Sequence, residues 1–167
     1  PVAVFAATPE NMKMYCPKPG TKRDPQRRWN LPDRAFFGHG ACHILAGVFL
    51  ELRPLTDFHA ERIVPGDGFW GNHIYVTNGS IVFDFHGYSA RERLLRHHGL
   101  GWSKRYPGWN AEIEKVDFSL LDTAALNARK MLGPDQFVGD PVARAERFIE
   151  RVEHTKAARK AECIAAF

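Results

Sequence analysis

Residues 73–86 read His73-Ile74-Tyr75-Val76-Thr77-Asn78-Gly79-Ser80-Ile81-Val82-Phe83-Asp84-Phe85-His86. Two β-prone runs, residues 73–77 and 80–86, flank Asn78-Gly79, the strongest short hairpin signal. A two-residue loop sets Thr77 opposite Ser80 and, counting outward, His73 opposite Asp84. Alternation then gives one apolar face of Ile74, Val76, Ile81, Phe83 and Phe85. The other face carries His73, Tyr75, Thr77, Ser80, Val82, Asp84 and His86. Facing Cβ atoms lie about 4.5–5.5 Å apart, so the spacing predicts a hydrogen bond between His73 and Asp84.

Upstream, residues 41–52 read Ala-Cys-His-Ile-Leu-Ala-Gly-Val-Phe-Leu-Glu-Leu. Apolar residues occupy the whole circumference until Glu51, the mark of a buried central helix. Gly38-His39-Gly40 gives it a flexible approach, and Pro54 ends it. Cys42 falls in the first turn. Unpaired N–H groups and the helix dipole there favour a thiolate, and the same N–H groups suit a developing oxyanion. Arg62-Ile63-Val64 reads as a further strand.

The second half reads as helical. Ser89-Ala90-Arg91-Glu92 has a capping-box pattern opening a helix that stops at Gly99. His97-His98 then lie at a helix C-terminus, where the dipole favours a cation. Asp122 or Thr123 caps a helix to about residue 132, with Gly133 behind it. Asp140-Pro141 opens a longer helix to about residue 160, striped by Val142, Ala145, Ile149 and Val152. Between them, residues 99–118 form an aromatic-rich loop. Its Trp102, Lys104, Arg105, Tyr106 and Trp109 read first as self-packing of an Ω-like loop, and second as a cleft wall.

The chain has 167 residues and a net charge of +4, which fits one domain and is too weakly basic to imply nucleic acid by itself. No linker divides it. Residues 1–34 read as an extended basic arm, 35–88 as the helix-plus-hairpin core and 89–167 as a helical extension. The arm holds Lys13, Lys18, Lys22, Arg23, Arg27, Arg28 and Arg34. Within residues 8–34 only Tyr15 and Trp29 offer stacking, so a solvated lead-in is preferred to a nucleic-acid arm. The uncharged run 35–50 contains three glycines and two histidines, which argues against a membrane span. The start lacks the basic residue of a secretion signal. Three cysteines are an odd count, pointing to a reducing, cytoplasmic setting rather than a disulfide scaffold. Cys16 and Cys163 have no partner pattern and read as inert.

Cys42, His73 and Asp84, in that order, form a possible nucleophile, general base and orienting carboxylate. A cysteine at the start of a buried helix, a strand opening with His and an Asp on the next strand resemble the papain-like cysteine hydrolases. The order is similar to the transglutaminase-like and bacterial cell-wall amidase branches. The matching segments are Gly38-His39-Gly40-Ala41-Cys42-His43, Asn72-His73-Ile74-Tyr75-Val76 and Val82-Phe83-Asp84-Phe85-His86-Gly87, within residues 36–88. Tyr75 stands for the aromatic that follows the His in the transglutaminase-like branch, and Phe85 replaces that branch's Pro.

The resemblance implies an α+β fold with a papain-like core, in which a Cys-bearing helix packs on an antiparallel sheet. It implies a thiol hydrolase or acyl transferase acting on an amide or related acyl bond of a peptide or other amide-containing substrate, without a cofactor. Cys42 would be the nucleophile, His73 the base and acid, and Asp84 the orienting group. His39 would join the Cys42 N–H in the oxyanion hole. Two other classes compete: a catalytically silent binding or regulatory module of the same fold, and a basic nucleic-acid-binding domain. A zinc site is weighed as well, since His39, Cys42, His43, His73, Asp84 and His86 are zinc-type donors. No second tight ligand pair follows His39-x-x-Cys42, so no metal is expected.

Overall fold

The computed structural model describes residues 18–166. Tyr15, Cys16 and the first half of the basic arm lie outside the described residues. The fold is α+β. A five-stranded antiparallel sheet of order β4-β3-β2-β1-β5 is built from β1 (His59–Pro65), β2 (His73–Thr77), β3 (Ile81–Asp84), β4 (Gly87–Ala90) and β5 (Ala111–Lys115). The helices are α1 (Pro25–Trp29), α2 (Asp33–Gly38), α3 (Cys42–Leu52), α4 (Arg91–Ser103), α5 (Thr123–Asn127), α6 (Pro141–Glu150) and α7 (His154–Ala165).

The all-round apolar segment forms α3, and every residue from His43 to Phe49 is buried. One side meets the sheet through Ile74, Val76 and Phe83, and another meets α6 through Ala145 and Ile149, all in one buried cluster. The opposite sheet face is covered by α4. Ile63, Tyr75 and Val82 pack there with Leu94 and Leu95. The alternation along residues 73–83 therefore assigns the faces correctly, but both faces are buried. Arg53 closes α3 in the left-handed region at φ 47°, just before Pro54.

The hairpin register differs from the expectation. Val76 pairs with Phe83 and Thr77 with Val82, so the connection is two residues longer than an Asn-Gly turn. Side chains account for the difference. Asn78 Oδ1 accepts from the N–H groups of Ser80 and Ile81, both at 3.0 Å. The Thr77 hydroxyl donates to the Ile81 carbonyl and accepts from the Gly79 N–H. These local bonds outcompete the two-residue turn. A shift of two preserves every face, which is why the face assignment survives.

Several boundaries also differ. The strand expected to reach residue 86 stops at Asp84, and Phe85-His86 turn the chain into β4. Ser89 belongs to β4, opposite Val82, rather than capping a helix. The helix that follows does not stop at Gly99 but runs to Ser103, so His97 and His98 lie inside it. Packing of Leu94 and Leu95 on the sheet outweighs the glycine penalty of about 1 kcal/mol. Of the loop expected over residues 99–118, residues 104–110 and 116–118 are irregular, while the end of α4 and β5, which pairs with β1, occupy the rest. The helix capped by Asp122 ends at Asn127, and Lys130 rather than Gly133 takes positive φ. The expected long C-terminal helix is two, α6 and α7, separated at residues 151–153.

Residues 18–34, expected as an extended arm, hold a 3-10 turn at Thr21–Arg23 followed by α1 and the start of α2. Arg144 ties them down. Its guanidinium donates to the Trp29 and Leu31 carbonyls and to Asp33, and lies 4.2 Å from the Phe36 ring centroid. Trp29 packs edge-on against Phe36. It is thus committed to the core instead of offering a stacking platform. Among the described residues, no helix is long and apolar enough to cross a membrane.

Candidate active site

Gly40 takes φ +118°, a conformation that L side chains rarely adopt. It brings the chain out of α2 so that Cys42 becomes the first residue of α3. The N-cap, Ala41, has no side chain to satisfy the free N–H groups of that turn. They remain available to an acceptor. Cys42 is half-buried.

His73 opens β2 and is buried together with Asp84. Its Nε2–H donates to Asp84 Oδ2 at 2.9 Å. That bond leaves Nδ1 as the ring nitrogen for the thiol. Asp84 is further held by the His86 N–H at 2.8 Å, and His86, half-exposed, places its own imidazole 3.3 Å from Oδ1. The Phe85 ring stands edge-on to His73 at 5.5 Å.

These contacts decide the charges. Burial, the largest influence on Cys42, opposes ionisation. Hydrogen bonds from His43 and His73, with the charges of both, outweigh it and bring the thiol down from 9.0 to about 5. Burial likewise disfavours the His73 imidazolium, but the bonds to Asp84 and Cys42 and their negative charges push it up to about 10. The Asp84 carboxyl, buried yet bonded to His73 and His86, is held well below the usual carboxylate range. The outcome is a thiolate–imidazolium pair across neutral pH.

The structure therefore brings Cys42, His73 and Asp84 into one chain of contacts. His39 is placed otherwise: its Nδ1–H donates to the Ala35 carbonyl at 2.9 Å, which ties the ring to α2. Two histidines not expected to take part also belong to the site. The ring of His43 is buried, its Nε2–H donates to the Leu132 carbonyl at 2.8 Å, and it also bonds the Cys42 thiol. His98 stacks on His73 at 5.6 Å between ring centroids, with 16° between the planes. The pattern His97-His98 was visible in the sequence, but a helix ending at Gly99 placed it at the wrong end of an element. No sequence signal marks His43, since a step of one residue turns the chain about 100° around a helix.

Among the described residues, no group of three or more His, Cys, Asp or Glu side chains is placed to hold a metal ion. Two clefts lie toward the other end of α3, around Leu50 and Phe58, away from Cys42. The chain matches no family model, no curated protein and no solved structure.

Proposed function

We propose that this protein is a thiol hydrolase or acyl transferase of the papain-like kind, acting on an amide or related acyl bond of a peptide or other amide-containing substrate. The observation that carries the reading is the buried His73–Asp84 bond beside a cysteine at a helix N-terminus. A structural His–Asp pair has no need of a thiol whose ionisation it promotes.

In the reaction, the Cys42 thiolate attacks the acyl carbon and forms a C–S bond. The carbonyl electrons move to oxygen, which takes a hydrogen bond from the Cys42 N–H. His39 would serve as a second donor only after its ring turns toward the same oxygen. As the tetrahedral species collapses, the His73 imidazolium gives its proton to the leaving nitrogen. Neutral His73 then removes a proton from water or from an acceptor amine, which attacks the thioester and releases Cys42. Asp84 keeps one ring tautomer throughout and stabilises the imidazolium.

The test is the rate of Cys42 alkylation by iodoacetamide against pH, in wild type and in His73→Ala. The expected result is a wild-type midpoint near 5 that moves toward the ~8.5 of a free cysteine when the imidazole is removed. Labelling at pH 6 disappears in Cys42→Ala and persists in Cys163→Ala, Cys163 being exposed on α7. A midpoint indifferent to His73, or equal labelling of Cys42→Ala, overturns the reading.

A further inference from the structure

The mechanism leaves one imidazole in direct contact with the base unused. His98 lies in the middle of α4, and its Nε2–H donates to the Gly71 carbonyl at 2.6 Å. Its ring stacks on His73. Next to it, the Trp109 indole N–H donates to the Trp70 carbonyl at 2.8 Å. Two successive carbonyls of the segment leading into His73 are thus anchored. Gly71 sits at φ +120° beneath the Trp102 ring, where an added Cβ would come within 3.0 Å of the indole. The lead-in is fixed on its other side as well.

His98 itself stays uncharged. Burial, then the positive charge of His73, lowers it to about 3. A neutral ring against an imidazolium attracts it through its π face and adds no competing charge. The titratable groups around the site are Cys42 and His43 from α3, Tyr75 from β2, Asp84 and His86 from β3 and its turn, and His97 and His98 from α4. Of these, His98 is the group with a face stacked on the His73 ring.

We infer that His98 is a positioning residue: stacked on His73 and tied to Gly71, it holds the base in the ring plane that points Nδ1 at the Cys42 thiol. The inference rests on the thiol-hydrolase reading above. The bonds to Asp84 and to the Cys42 thiol hold two edges of the ring, and the stacked His98 restrains its plane.

The experiment is the pH dependence of Cys42 alkylation by iodoacetamide in the intact chain, for wild type, His98→Ala, His98→Phe and His98→Gln, with thermal melting alongside. His98→Ala is expected to raise the midpoint by about one pH unit or more. His98→Phe restores the stacking face and His98→Gln restores the donor to Gly71, so each recovers part of the shift. A folded His98→Ala with the wild-type midpoint overturns the proposal, even if its melting temperature falls. Should His98→Ala not fold, imidazole nitrogen NMR on the wild type decides. His98 is expected to keep one neutral, Nε2-protonated form from pH 5 to 9, and a His98 that titrates there overturns the proposal. A wild-type midpoint near the ~8.5 of a free cysteine is a different failure: it removes the thiol-hydrolase reading, and this inference with it.

Discussion

His73 and Asp84 are joined at 2.9 Å without facing each other across the hairpin. Val76 pairs with Phe83 and Thr77 with Val82. The same register carried on sets Tyr75 opposite Asp84 and leaves His73 diagonal to it. Diagonal neighbours are about 7–8 Å apart at the backbone, within reach of an imidazole and a carboxylate on one face. The diagonal also leaves room for His86, which caps the same carboxylate from the next turn.

Asp84→Asn removes the negative charge that supports the His73 imidazolium. With a weaker cation beside it, the thiolate is less stable, so the Cys42 midpoint rises from about 5. The expected shift is at least about one pH unit, read from alkylation rates. An unchanged profile in the folded variant would show that the carboxylate does not act on the thiol.

Asp84 and Glu61 both have carboxyls held below their ordinary values, Asp84 by His73 and Glu61 by Arg91 and Tyr75, each against the cost of burial. A group depressed in the folded state contributes stability above its unfolded pKa of about 4 and loses it as pH falls through the folded value. Thermal melting is therefore expected to fall steeply below pH 4. Glu61→Gln flattens that fall, because an amide does not titrate. A melting temperature level from pH 5 to pH 2.5 contradicts the assignment.

Gly71→Ala places a Cβ 3.0 Å from the Trp102 ring at φ +120°. Strain and overpacking together cost about 2–4 kcal/mol. Chemical denaturation measures that loss. The surviving folded protein should also show slower alkylation of Cys42, because the backbone leading into His73 has moved.

Phe49→Ala provides the contrast. Phe49 is fully buried in α3 and stacks on Phe83 at 4.9 Å. Its truncation costs about 3–5 kcal/mol, yet the residue lies two turns from Cys42. Stability should fall while the alkylation midpoint stays at its wild-type value. A shifted midpoint would mean that the site is coupled to core packing along the whole helix.

From sequence alone, what was settled was local. The apolar circumference of residues 41–52 determines a buried helix, and the 73–83 alternation determines which residues share a sheet face. Both depend on periods that a chain carries within a few residues. The juxtaposition of His73 and Asp84 follows from the same alternation, since a slip of two residues keeps a pair on one face. Strand partners and element ends belong to the tertiary structure. The turn length was set by competition among the Asn78, Thr77 and backbone hydrogen bonds, and β5 exists because β1 offered it an edge. The continuation of α4 through Gly99 depended on packing against the sheet. The same packing places His98 on the His73 ring, a contact between residues far apart in the chain. Local propensity, worth a fraction of a kcal/mol per residue, does not specify such contacts; the burial of whole faces does.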